Sequence, residues 1–224
     1  MRAGTILAGR VRPNVIFDCD GVLVDSEPIS NRVLAAMLTE AGLPLTPEES
    51  MAAFLGRAWS SNAEIIEARL GRPLAADFRP RYIEAMLAAF ALELEPVLGV
   101  VAALDAIANP CCVASSGSHD KMRMTLAHTG LLERFEGRIF SATEVAHGKP
   151  APDLFLHAAR QMGWAAADCV VVEDSAAGVK AAVAARMRVL GYAGRTDPAL
   201  LEGSELFTRM EELPALLAAQ SPPA

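Results

Sequence analysis

The chain has 224 residues, 52% of them hydrophobic, enough to bury a full core as one domain or as one domain carrying an insertion. A formal charge of −7 argues against nucleic acid or an anionic membrane as partner and leaves a small molecule as the expected one. No apolar run nears the roughly 18 residues of a membrane helix, and "MRAGTILAGR" is too weakly apolar for a secretory signal, so a cytoplasmic protein, monomeric by default, is expected.

The first predicted strand is Asn14–Asp18, and it runs straight into an acidic stretch, "VIFDCDGVLVDSE". Asp18, Asp20, Asp25 and Glu27 follow one another closely. Buried like charges cost several kcal/mol each unless something offsets them, and a bound cation is the obvious candidate. The next stretch, from Pro28 to Pro96, has no strand pattern. Helices are expected at Ile29–Ala41, from Thr46, at Ser60–Leu70 and at Asp77–Leu94. "TPEES" reads as a capping box, with Thr46 as N-cap, Pro47 in the first turn and Glu49 three residues after the cap.

After Pro96 a strand–helix rhythm sets in. Helices are predicted at Val100–Ala108, Lys121–Thr129, Pro152–Met162 and Ala176–Ala185. They alternate with strands at Cys112–Ser115, Arg138–Ser141, Cys169–Glu173 and Arg188–Leu190. These strands are apolar throughout instead of alternating, as strands covered on both faces should be. The expected fold is α/β, a doubly wound (Rossmann-like) parallel-sheet core with an inserted all-α cap. The core would comprise 1–27 and 97–224 and the cap 28–96, since a plain connection rarely needs so much chain.

Cys19, Cys111, Cys112 and Cys169 form no C-x-x-C and sit in apolar runs, so they read as small core residues. His119, His128, His147 and His157 lack metal-ligand spacing.

In an open parallel sheet, ligands bind beyond the carboxyl ends of the strands. Those ends carry Asp18 and Asp20, then Ser115 and Ser116 in "VASSGS", then Lys149 in "SATEVAHGKPAPD", then Glu173 and Asp174 in "VVVEDSAAG". Each alone is an ordinary acidic turn or helix cap. Their arrival at one sheet edge is a different matter. Carboxylates without His or Cys suit Mg²⁺ beside a substrate phosphate. A serine hydroxyl, turn N–H groups and a lysine suit the phosphoryl group itself. One carboxylate can attack phosphorus while a second moves the protons.

"DCDGV", Ser115 in "VASS", Lys149 in "GKPAPDLF" and "VVEDSAAG" together resemble the four motifs of the haloacid-dehalogenase superfamily. The helical insertion resembles the small cap of its β-phosphoglucomutase and phosphoglycolate-phosphatase-like branch. The resemblance implies that Asp18 is nucleophile and Mg²⁺ ligand, and that Asp20 is general acid/base, lending its backbone carbonyl to the metal. Ser115, Ser116 and Lys149 would hold the phosphoryl group, Asp174 would ligate Mg²⁺, and Glu173 would support the metal shell. Asp25 and Glu27 would structure the crossing into the cap. In "FLGRAWSS", Gly56 and Arg57 would face the substrate.

The dehalogenases themselves lack the second Asp of "DxD", which is present here as Asp20. The mutases carry a cap histidine where this chain has Ser30, and a cap lysine where "DFRPRY" offers only arginines. Hydrolysis is therefore expected over mutase chemistry. The motif wording is most similar to bacterial sugar-phosphate phosphatases, 6-phosphogluconate phosphatases among them. A phospho-accepting receiver domain offers similar groups, but its acceptor Asp ends the third strand, not the first.

Overall fold

A computed structural model describes residues 12–55 and 59–219. Six parallel strands lie in the order β3-β2-β1-β4-β5-β6, doubly wound about β1. They are β1 (Asn14–Phe17), β2 (Cys111–Ser115), β3 (Ile139–Ser141), β4 (Cys169–Glu173), β5 (Arg188–Tyr192) and β6 (Glu205–Phe207). β1 sits at the centre, with Val15 beside Cys111 on one side and Val170 on the other.

The uninterrupted apolar runs are explained by which way alternate residues face. Val15, Phe17, Val113 and Val172 enter one core with helices α5 (Val100–Ala106), α6 (His119–His128), α7 (Leu132–Phe135) and α10 (Leu213–Ala218). Ile16, Cys112, Ala114 and Val171 enter the other with α8 (Asp153–Gln161) and α9 (Ala176–Ala184). Both sheet faces are thus buried, which removes the need for polar alternation. The four cysteines are free, and Cys19, Cys112 and Cys169 are buried in these cores.

Between β1 and α5 the described residues form four helices: α1 (Glu27–Glu40), α2 (Pro47–Phe54), α3 (Trp59–Leu70) and α4 (Phe78–Glu93). They have a core of their own around Leu34, Leu38, Phe54, Ile66 and Phe78. The Thr46 capping box forms as read: Glu49 N donates to Thr46 Oγ1 at 3.2 Å and Thr46 N donates to Glu49 Oε2 at 2.8 Å. The two chain crossings between helices and sheet run side by side. Asp25 N donates to the Glu95 carbonyl at 2.9 Å and Val97 N to that of Leu23 at 3.0 Å. No helix among the described residues is long and apolar enough to cross a membrane.

The strand boundaries differ from expectation by two residues at β5, which runs on to Tyr192, and by one at β1, β2 and β3; Asp18 lies just past β1 rather than in it. Its N–H still donates to the Val172 carbonyl at 2.9 Å, but the chain then turns through Gly21 (φ +75°). β6, α7 and α10 were not anticipated. Each is short, and Glu205 and Leu206 of the edge strand β6 are exposed, so no periodicity could build up.

Candidate active site

Three strand ends and the loop after β3 converge as the topology requires: Asp18 beyond β1, Ser115 at the end of β2, Glu173 and Asp174 at the end of β4, and Lys149 in the loop before α8. Lys149 Nζ donates to Asp18 Oδ1 at 2.6 Å and to Glu173 Oε1 at 2.5 Å. Its stem runs past Phe155, whose ring centroid is 4.9 Å from Nζ.

Glu173 is fully buried, and its second oxygen is also engaged, accepting from Ser175 N at 2.8 Å and Ser175 Oγ at 2.9 Å. Ser175 in turn caps α9 by accepting from Gly178 N at 3.0 Å. Gly178 has to be glycine, since a Cβ there would lie 1.7 Å from Glu173 Oε1. Gly21 is pinned in the same way: a Cβ would fall 2.0 Å from Asp174 Oδ2.

Asp18, Glu173 and Asp174 each present an oxygen within 4.8 Å of the others. Burial pushes Asp18 up to about 7 against the pull of Lys149, with Glu173 and Asp20 adding to the rise. Asp174 is driven well above the usual carboxylate range by burial and then by Glu173 and Asp18. Three buried carboxylates therefore face one ammonium. With all three ionised, two negative charges would stand uncompensated in a low-dielectric pocket; the upward shifts of Asp18 and Asp174 mark protons held in their place, and a divalent cation with oxygen ligands fits that balance.

Ser115 is buried, and its Oγ accepts from Gly117 N at 3.2 Å. Ser141 Oγ donates to the Gly117 carbonyl at 2.7 Å and so fixes the turn from the neighbouring strand. Ser116 lies exposed on the same turn. Gly56 and Arg57 fall outside the described residues.

Asp20 lies beside the pocket rather than in the carboxylate triangle. Its Oδ1 accepts from Ser26 Oγ at 2.9 Å and its Oδ2 from Lys121 Nζ at 2.7 Å. Although burial works against it, the Lys121 charge and these two hydrogen bonds hold its carboxyl below the ordinary range. Lys121 also lies 5.8 Å from the ring centroid of Phe90 on α4, so it touches both the Asp20 loop and the helical block. Sequence reasoning passed over Lys121, Ser26, Ser141 and Ser175. Of the four, only Ser175 gave a signal, as the residue between a strand-end acidic pair and a helix. Asp25 is not part of the site: it forms a two-pronged pair with Arg195 at 2.8 and 2.6 Å, tying the crossing to the loop after β5.

Glu27 feels the charge of Asp20 as well. Burial, then repulsion from Asp20, raise its carboxyl from 4.5 to about 7. The folded state thus binds more protons than the unfolded between those values, and stability falls as pH rises through that window. Glu27→Gln is expected to match the parent at pH 4.5 and to be more stable by about 1–2 kcal/mol at pH 8. Thermal unfolding of both in EDTA across this range checks it; a pH-independent difference would contradict the assignment.

With this geometry in place, likeness to known proteins is informative. Residues 14–186 match the model of the haloacid dehalogenase-like hydrolases. A 6-phosphogluconate phosphatase of Escherichia coli K12 is 34% identical over 209 residues, 92% of this chain and 95% of that one. A solved haloacid dehalogenase-like protein of unknown function from Agrobacterium tumefaciens is 37% identical, with a TM-score of 0.86 over 93% of this chain and 98% of that one. A family hydrolase of Deinococcus radiodurans, solved with bound phosphate and sodium, is 31% identical with a TM-score of 0.76 over 92% and 95%. The carboxylate rim, the sheet order and these likenesses agree, and the chain belongs to the haloacid dehalogenase-like hydrolases.

Proposed function

We propose that this hydrolase is a Mg²⁺-dependent phosphatase that cleaves the phosphate monoester of a small phosphorylated metabolite, a sugar phosphate, through an aspartyl-phosphate on Asp18. The observation that carries the reading is Lys149 held between Asp18 and Glu173, with Asp174 and Ser115 on the same rim. In this reading 28–96 form a cap over a core of 1–27 and 97–224.

Asp18, Asp174 and the Asp20 carbonyl would hold Mg²⁺, with Glu173 at the edge of its shell. The ion would supply positive charge to the phosphoryl oxygens. The Asp18 carboxylate attacks phosphorus and forms an acyl phosphate as the bond to the alcohol oxygen breaks. Asp20, which Ser26 and Lys121 orient and hold ionised in the free protein, has to take up a proton from solvent as substrate binds and then gives it to that oxygen. Asp20 then takes a proton from the water that attacks the acyl phosphate, and inorganic phosphate leaves with Asp18 restored. The Ser115 hydroxyl, the turn N–H groups beside Ser116 and the Lys149 ammonium hold the phosphoryl oxygens throughout.

Sugar phosphates are favoured by the likeness to the 6-phosphogluconate phosphatase. The expected result is phosphate release from 6-phosphogluconate and hexose phosphates with millimolar Mg²⁺, falling at least about 100-fold in EDTA. Equal release with and without EDTA would sink the metal-dependent mechanism. Conversion of β-glucose 1-phosphate to glucose 6-phosphate without net release would make the protein a mutase despite Ser30.

A further inference from the structure

Just past β3, two helices each bring a histidine to one carboxylate. His119 opens α6 and its Nε2 stands 3.1 Å from Glu144 Oε2. His157 lies in α8 and its Nε2 stands 3.6 Å from Glu144 Oε1. The three side chains come from separate elements, so their order in the chain shows no ligand pattern.

His157 is the informative residue. Its side chain is only 14% exposed, and its ring packs edge-to-face on Phe140 at 5.8 Å between centroids. Among the described residues its buried Nε2 has no hydrogen-bond partner. A polar atom shut away from water and left unpaired is costly, so its retention beside a carboxylate calls for something between them. Glu144 is held ready to bind. Its Oε2 accepts from Ser141 N at 2.6 Å, while Oε1 faces His157. Although burial works against it, the Ser141 N–H and the two histidines hold its carboxyl below the ordinary range.

Zn²⁺ bonds to imidazole nitrogen and carboxylate oxygen at about 2.0–2.2 Å, so its ligands stand about 3.3–3.5 Å apart in a tetrahedron. The two separations at Glu144 are already of that size. Among the described residues only Asp18, Glu173 and Asp174 bring three ligand atoms within 4.8 Å of one another. An ion at Glu144 must therefore draw its third ligand in. His119 can follow, because its side chain is 41% exposed at the first residue of α6.

We infer that Glu144, His119 and His157 form a metal site apart from the carboxylate rim, one that takes a divalent transition ion of the Zn²⁺ type with water as fourth ligand. Imidazole nitrogen suits Zn²⁺ and its neighbours, whereas an all-oxygen set suits Mg²⁺, so ligand type sorts the two ions. An ion here also reaches the neighbouring segments. His119 follows the turn that carries Ser115 and Ser116, and Glu144 lies between Ser141, which donates to the Gly117 carbonyl at 2.7 Å, and Lys149.

Co²⁺ is the probe, since it occupies zinc sites and its visible spectrum reports coordination geometry. With excess Mg²⁺ present, the full chain should develop the intense bands of four-coordinate Co²⁺, saturating at one ion per chain. Co²⁺ on the all-oxygen rim is six-coordinate and absorbs weakly. The intense bands should persist in Asp174→Asn, disappear on adding Zn²⁺, and be absent from His157→Gln and His119→Gln. Losing a group that merely orients a ligand already costs about 10–100-fold in metal affinity, so losing a ligand should weaken Zn²⁺ binding, read by calorimetry, at least about 100-fold. Should His157→Gln fail to fold, His119→Gln still decides, because it alters an exposed side chain. A weak six-coordinate spectrum in the parent would overturn the site. So would intense bands, or a Zn²⁺ affinity, that His119→Gln leaves unchanged. None of these readouts requires turnover.

Discussion

Asp18→Asn is expected to lower kcat at least about 10⁴-fold while leaving the protein folded. The amide has the shape of the carboxylate and can still accept from Lys149 through Oδ1, but it lacks the anionic oxygen that must attack phosphorus. Folding should not suffer, because the carboxylate is expensive where it stands. Burial above all, with Glu173 and Asp20 pushing the same way, lifts it to about 7 despite the pull of Lys149. Removing one of three crowded negative charges offsets the weakened hydrogen bond to Lys149. Phosphate release and thermal unfolding on the same preparation check both halves. Activity within about 100-fold of the parent, co-eluting with the variant, would remove Asp18 as the nucleophile. Loss of activity with a collapsed unfolding midpoint would show a structural role instead.

The parts of this site that could be read in the sequence are those that the backbone places by itself. Asp18, Ser115, Glu173 and Asp174 stand at or just past the ends of apolar runs, and a parallel sheet brings all such ends to one edge. Lys149 belongs to the loop after the third strand and arrives by the same rule. Lys121 could not be read that way. It is a helix residue 101 positions from Asp20, and it meets Asp20 only because α6 packs with its first turn beside the β1 loop. The strands were legible because burial on both faces writes itself into every residue. β6 was not, because two of its three residues face solvent.

Lys149→Met carries the other large expected effect, on stability as well as on rate. The ammonium is 5% exposed and offsets Asp18 and Glu173 at 2.6 and 2.5 Å. Methionine fills the same volume against Phe155 but leaves Asp18, Glu173 and Asp174 within 4.8 Å of one another with no cation. Removing one member of a buried charge network costs about 3–5 kcal/mol, mostly through the charge left behind. In EDTA the denaturant midpoint should fall accordingly. The variant's remaining negative charge should also make it lean on a divalent cation. Its midpoint is expected to climb with Mg²⁺ more steeply than the parent's, by mass action on the folded state. Lys149→Arg should not restore the parent, since a planar fork cannot replace a point charge between two carboxylates in so closed a pocket. Denaturant titrations of the three proteins across a Mg²⁺ series decide the matter. A Lys149→Met protein as stable as the parent in EDTA would mean that the carboxylates are not held by this lysine, and the electrostatic account of the rim would fail with it.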